Sequence, residues 1–187
     1  MKNAQYESGV SRLQFLCWCL ILLLTVVLAV PLSAQPLAPP PDWSAWQFLI
    51  GDWVGEGSGV SGEAVGGFSF GYDLQQRILV RKNFADYPAT PTHPAFSHTD
   101  LMIIYSENDT TRAVYFDNEG HVIHYTITLS PDSGQFVFLS DTQPAAPRFR
   151  FTYTKITVGR VKIRFDIAPP GEPGAFAPYL TATARRK

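Results

Sequence analysis

The side chains best suited to chemistry lie close together in this sequence: all four histidines, His93, His98, His121 and His124, fall between positions 93 and 124. His121 heads a run in which Ile123, Tyr125, Ile127 and Leu129 share one face of a strand, while Val122, His124, Thr126 and Thr128 share the other. An imidazole on the apolar face of a β-structure, close behind Asp117 and Glu119, has the composition of a ligand contact, an axial metal ligand or a general base with an acidic orienting partner. The plainer alternative is a turn histidine hydrogen-bonded to Asp117 or Asn118. His121, Asp117 and Glu119 are therefore the candidate catalytic residues.

A second group lies upstream. His98 and Asp100 are two residues apart, hence on one face of a strand, and His93 sits in a proline-rich loop just before them. Such a set could gather a metal ion, but it carries no recognisable ligand signature, and solvated or capping residues at a strand entrance have the same composition. No residue is assigned as a metal ligand on this basis. Arg81 shares a face with Leu79 and Asn83, and Lys82 shares the opposite face with Ile78, Val80 and Phe84, so one cation must point inward or snorkel. An inward arginine would select an anionic group such as a carboxylate. A cation reaching the rim or pairing with Asp86 is the simpler expectation. Arg81, Tyr115, His121 and Tyr125 are the candidate ligand contacts.

Several chemistries find no support. No serine stands in a nucleophile-elbow context, no glycine-rich phosphate loop is present, and no carboxylate pair has a spacing that demands acid-base work. The enzyme case rests on His121 and its acidic neighbours alone, and the sequence favours a binding protein over an enzyme. From Gln35 onward there are 13 Lys and Arg against 15 Asp and Glu, a net of 13 − 15 = −2, which provides no field to recruit nucleic acid or an anionic membrane. Arg160, Lys162 and Arg164 alternate with Val161, Ile163 and Phe165, the pattern of a strand with one wet face.

The elements that must position these residues are strands. After Gly51 the sequence has a period of two, broken by turn residues, with no 3.6-residue periodicity long enough for a substantial helix. Ten strands are expected, over approximately 52–60, 66–73, 77–85, 98–106, 111–117, 121–129, 135–141, 148–156, 160–167 and 178–186. Short loops make successive strands hairpin neighbours, and closing such a meander into an up-and-down barrel removes its exposed edges. Two longer, proline-rich connections, 87–97 and 168–177, are expected to be loops. Ahead of the strands, Asp42 would cap a short plug helix carrying Trp43, Trp46, Phe48 and Leu49.

The N-terminal part predicts export. Lys2 and Arg12 precede an apolar run from Phe15 to Leu32, which closes with Pro31 and is followed by Ser33 and Ala34, the order of a signal peptide. The reading is cleavage after Ala34, with an uncleaved signal anchor as the alternative and the only route to a membrane. Residues 35–42, with Pro36, Pro39, Pro40 and Pro41, form an extended tether, and 43–187 is the barrel domain. Cys17 and Cys19 both lie in the export segment, so the processed domain would have neither disulfide nor thiolate. A periplasmic or secreted location follows.

The run Gly51, Asp52, Trp53, Val54, Gly55, Glu56, Gly57 resembles the opening strand of the calycin barrels, and more closely that of nitrobindin-like domains. The resemblance implies that a short helical turn precedes the motif, that Trp53 packs at the closed end, and that an arginine of the last strand, Arg185 or Arg186 with Arg185 preferred, stacks across it. Gly51, Gly55 and Gly57 belong to the same motif. The chain is also similar to exported bacterial calycin-like proteins of open function, whose central hairpin would hold Tyr115 to His121. Nitrobindin-like domains hold haem through a histidine near the end of the barrel, and this chain has none after His124. The resemblance therefore supplies no haem ligand, and haem is carried only as an alternative cofactor.

The expectation is an all-β, ten-stranded calycin-like barrel that binds a small apolar or amphipathic molecule in its interior. The alternatives are a haem-binding or histidine-dependent protein of nitrobindin type and a filled barrel that acts as an interaction module at the cell envelope.

Overall fold

The period-two segments fold into ten antiparallel strands: β1 (Gly51–Gly55), β2 (Val65–Asp73), β3 (Ile78–Tyr87), β4 (Phe96–Glu107), β5 (Thr110–Asp117), β6 (Val122–Ser130), β7 (Gln135–Ser140), β8 (Arg148–Thr157), β9 (Arg160–Ala168) and β10 (Ala177–Arg186). Each pairs with its sequence neighbours, and β1 closes against β10 through Trp53 opposite Arg186, Val54 opposite Arg185 and Gly55 opposite Ala184. Closure joins the first and last strands, so the paired part of each is not a free sheet edge. The structure, a computed structural model, describes residues 39–56, 64–130 and 134–187. The expected export segment with its cysteines, most of the expected tether, and Gly57 lie outside the described residues. The first strand was expected to reach residue 60, and its described part ends at Gly55.

Alternation decides which side chains fill the barrel. Phe68 and Phe70 of β2, Leu79 and Arg81 of β3, Met102 and Ile104 of β4, Tyr125 and Ile127 of β6, Phe136 and Phe138 of β7, and Tyr153 of β8 are all buried. Their rings interlock edge to face, as aromatic quadrupoles favour: Phe70 meets Tyr153 at 5.4 Å and 78°, and Phe138 meets Tyr125 at 6.2 Å and 86°.

One end of the barrel is plugged. The expected helix is a single 3-10 turn, Ser44–Phe48, whose first N–H groups include that of Ser44 donating to Asp42 Oδ1 at 2.8 Å. It drops Trp46 onto Phe136, stacked at 4.0 Å, while the Trp43 indole N–H donates to the Gln76 carbonyl at 2.7 Å. Trp53 donates to the Leu49 carbonyl at 2.8 Å and lies parallel to Phe68 at 5.7 Å. The arginine above Trp53 is Arg186 rather than Arg185: its guanidinium lies 4.7 Å from the indole centroid and donates to the carbonyls of Ile50 and Phe48. Residue 186 sits opposite Trp53 in the register, whereas Arg185 points to the exposed face. Gly51 is required here, because it has φ +115° and a Cβ would come within 2.7 Å of Arg186 Nη1.

At the other end lie the two proline-rich connections, between β3 and β4 and between β9 and β10, together with the β5–β6 turn. This end is the mouth of the barrel.

Candidate functional site

Register builds the site. Antiparallel pairing sets Asn83 of β3 opposite Asp100 of β4, and Asp100 opposite Asp117 of β5, so three polar side chains form one row across the inner wall. One step toward the closed end, Arg81 stands opposite Met102, and Met102 opposite Tyr115. One step toward the mouth, His98 lies opposite Ala85. Residues scattered over 41 sequence positions, from 81 to 121, thereby meet in one layer.

Arg81 is 5% exposed and lies inside the barrel, not at the rim, and its partner is Asp100 rather than Asp86. Its Nε donates to the Tyr153 hydroxyl at 2.6 Å, its Nη1 donates to Asp100 Oδ1, and its guanidinium lies 5.3 Å from the Phe151 ring. Asp86 instead accepts from the Ser97 hydroxyl at 2.5 Å. The second oxygen of Asp100 accepts from Asn83 Nδ2 at 2.8 Å and faces His98 Nε2 at 3.4 Å. The cation that the sequence offered to an anionic ligand is thus already neutralised by the protein.

Tyr115 joins this inner pair to an outer one. Its hydroxyl donates to Asp117 Oδ2 at 3.2 Å and stands 3.2 Å from His98 Nε2. Asp117 Oδ1 accepts the backbone N–H groups of Glu119 at 3.0 Å and His121 at 2.9 Å, a local closure that shapes the β5–β6 turn around Gly120 at φ +92°. Asn118 ties that turn to β4, accepting from Thr99 N and donating to the Ser97 carbonyl. His98 Nδ1 meets Glu119 Oε1 at 2.8 Å.

The electrostatics keep the phenols neutral. Burial foremost pushes the Tyr115 hydroxyl well above its ordinary value, and the Asp100 and Asp117 carboxylates push it further. Burial pushes Tyr153 up to about 12, even though Arg81 pulls the other way. Both are therefore hydrogen-bond donors or acceptors at neutral pH rather than phenolates. For Asp117, burial raises the carboxyl, but the His121 N–H, the His121 ring and the Glu119 N–H outweigh it and hold the group below the usual carboxylate range.

The remaining histidines fall elsewhere. His121 was expected on the inward face, yet its side chain is 60% exposed, with Nδ1 2.9 Å from Asp117 Oδ2. It is the turn histidine of the plainer reading, because β6 begins only at Val122 and the alternation does not extend back to it. His93 faces Thr92 Oγ1 in the exposed loop, and His124 is exposed on the outer wall. His98, by contrast, joins Asp117 and Glu119: each offers one donor atom within 4.8 Å of the others.

One expected ligand contact, Tyr125, and one feature unread in the sequence, the rim pair Tyr87 and Phe96, complete the site. The Tyr125 hydroxyl makes no hydrogen bond among the described residues, although the ring is 2% exposed and the oxygen feels Arg81, Asp100 and Asp117. No sealed side-chain polar atom among the described residues lacks a partner, so this oxygen stands at a reachable point of the inner wall. Tyr87 and Phe96, paired at the ends of β3 and β4, stack at 6.0 Å on the rim with 41% and 45% of their surface exposed. They continue the inward faces of Arg81 and Asp100, a signal present in the alternation.

No protein-family model matches the chain, and no curated protein matches it. The closed ten-stranded antiparallel barrel fits a calycin-like architecture. A groove of about 280 Å³ is lined by Asp52, Ser69, Lys82, Asn83, Phe84 and Lys187, with Trp53 and Phe68 beneath them.

Proposed function

We propose that this chain is an exported calycin-like barrel that binds a small amphipathic molecule in the mouth half of its interior. The observation that carries this reading is the Tyr125 hydroxyl, a buried-ring phenol left without a partner beside a layer in which Arg81, Asp100, Tyr115 and Asp117 satisfy one another. A binding site is concave, mostly apolar, and carries a few convergent polar groups. Here the exposed rings of Tyr87 and Phe96 supply apolar surface, and the carboxylates of Asp117 and Glu119 supply acceptors. Because Asp100 neutralises Arg81, the layer favours a head group that donates hydrogen bonds or is cationic over a carboxylate. The aromatic packing below Arg81 restricts the ligand to the mouth half. Export is inferred from the order of charged, apolar and small residues ahead of Ala34.

Native mass spectrometry and an absorption spectrum on the gently purified protein test the reading. A co-purified small molecule, displaced by decylamine but not by decanoate, is the expected result. A bare mass that persists after incubation with both amphiphiles would sink it and leave a filled interaction module, and a band near the haem Soret position would favour the haem alternative.

A further inference from the structure

We infer that His98, Asp117 and Glu119 form a binding site for one divalent transition-metal ion of the zinc or manganese class. Their donor atoms already lie within 4.8 Å of one another. Metal to nitrogen or oxygen bonds are about 2.0–2.2 Å, so donors around one ion stand roughly 3–4 Å apart, and a small contraction completes the triad. Glu119 can make it, since its side chain is 43% exposed on a turn.

The other two ligands are held in place. Asp117 is fixed by two backbone N–H groups on Oδ1 and by the Tyr115 hydroxyl on Oδ2. The His98 ring is flanked on its Nε2 side by Tyr115 and by Asp100, itself locked to Arg81 and Asn83, which leaves Nδ1 directed to Glu119. A carboxylate behind a ligating imidazole orients the ring and raises its basicity, the usual arrangement behind a metal-bound histidine. Charge points the same way. Asp100 is neutralised by Arg81, but among the described residues no Lys or Arg pairs with Asp117 or Glu119, so a divalent ion cancels their two negative charges. One imidazole with two carboxylates suits zinc, manganese or iron better than calcium or magnesium, which prefer all-oxygen shells. The Tyr125 hydroxyl, reachable on an otherwise buried ring, unpartnered among the described residues and within the field of Asp117, offers a partner for a water on the ion.

The ion and the amphiphile's head group would compete for Asp117 and Glu119, but the ion site does not rest on the amphiphile, so its test omits any amphiphile. Tag-free full chain is stripped with chelator and titrated with Zn²⁺ by calorimetry, and with Mn²⁺ by electron paramagnetic resonance. The expected result is one saturable ion per chain. His98→Ala and Glu119→Gln should each weaken it at least tenfold, Tyr115→Phe should weaken it about tenfold through lost orientation, and His124→Ala should leave it unchanged. Glu119 lies on an exposed turn, so its variant keeps the fold if His98→Ala does not. Absence of saturable binding in the wild-type protein, or wild-type affinity in Glu119→Gln, overturns the inference.

Discussion

The barrel holds two inward arginines, one at the closed end and one in the interior below the mouth, and uses them in opposite ways. At the closed end, half-buried Arg186 covers the face of Trp53 and donates to the Phe48 and Ile50 carbonyls, so its partners are neutral and no carboxylate is involved. In the interior below the mouth, Arg81 is bound to Asp100 and Tyr153, and the network continues through His98 and Tyr115 to Asp117 and His121. A cation that caps neutral dipoles makes a lid. A cation that neutralises a buried carboxylate allows further ionisable groups to sit in the barrel wall, which is what a site requires. The comparison teaches that an inward arginine marks function only when its partners are themselves titratable.

Removing each arginine should separate the two roles. Arg81→Met leaves the Asp100 carboxylate, 3% exposed, without its counter-charge, and should cost about 3–5 kcal/mol in urea unfolding. The double variant Arg81→Met with Asp100→Asn should recover a large part of that loss, because the uncompensated charge is gone. Arg186→Met removes hydrogen bonds from a charged donor to two carbonyls and should cost about 2 kcal/mol, with no rescue from any carboxylate substitution. Equal losses with no rescue at Arg81 would erase the distinction.

Acid should act on the mouth layer through Asp117. Asp117 is held below its unfolded value, so its contribution is complete above the ordinary carboxylate range and disappears as pH falls through the lowered folded value. Asp117→Asn should therefore make the acid fall in the urea midpoint shallower, while Arg186→Met should keep the wild-type slope.

The smallest expected effects concern the turns. At the closed end Leu74, Gln75 and Gln76 all have positive φ without a glycine among them, whereas the mouth turn already has Gly120 at φ +92°. Gln75→Gly should raise stability by about 0.5–1 kcal/mol, and Gly120→Ala should lower it by about 1 kcal/mol, both read from thermal midpoints.

The strands were legible because period-two alternation is a local signal: β2 to β10 lie within two residues of their expected bounds. The β2–β3 turn was not announced by its residues, since Leu74 to Gln76 include no glycine, asparagine or proline, and tertiary contacts such as that from Trp43 to Gln76 hold it. The site was legible in parts. Arg81 with Asn83 and His98 with Asp100 could be placed on common faces, but that Asn83, Asp100 and Asp117 form one row depends on pairing register, which a sequence without turn assignments leaves open by whole residues. His121 was placed inward by extending the β6 alternation one position too far. The choice between Arg185 and Arg186 turned on the same single-residue register.

The central claim, that the mouth rather than the plugged end receives the ligand, is tested most directly by nuclear magnetic resonance of the protein during titration with decylamine. The account predicts that the ring signals of His98 and His121 move while the indole N–H signals of Trp43, Trp46 and Trp53 stay in place. Movement of the indoles with the histidines unchanged would contradict it.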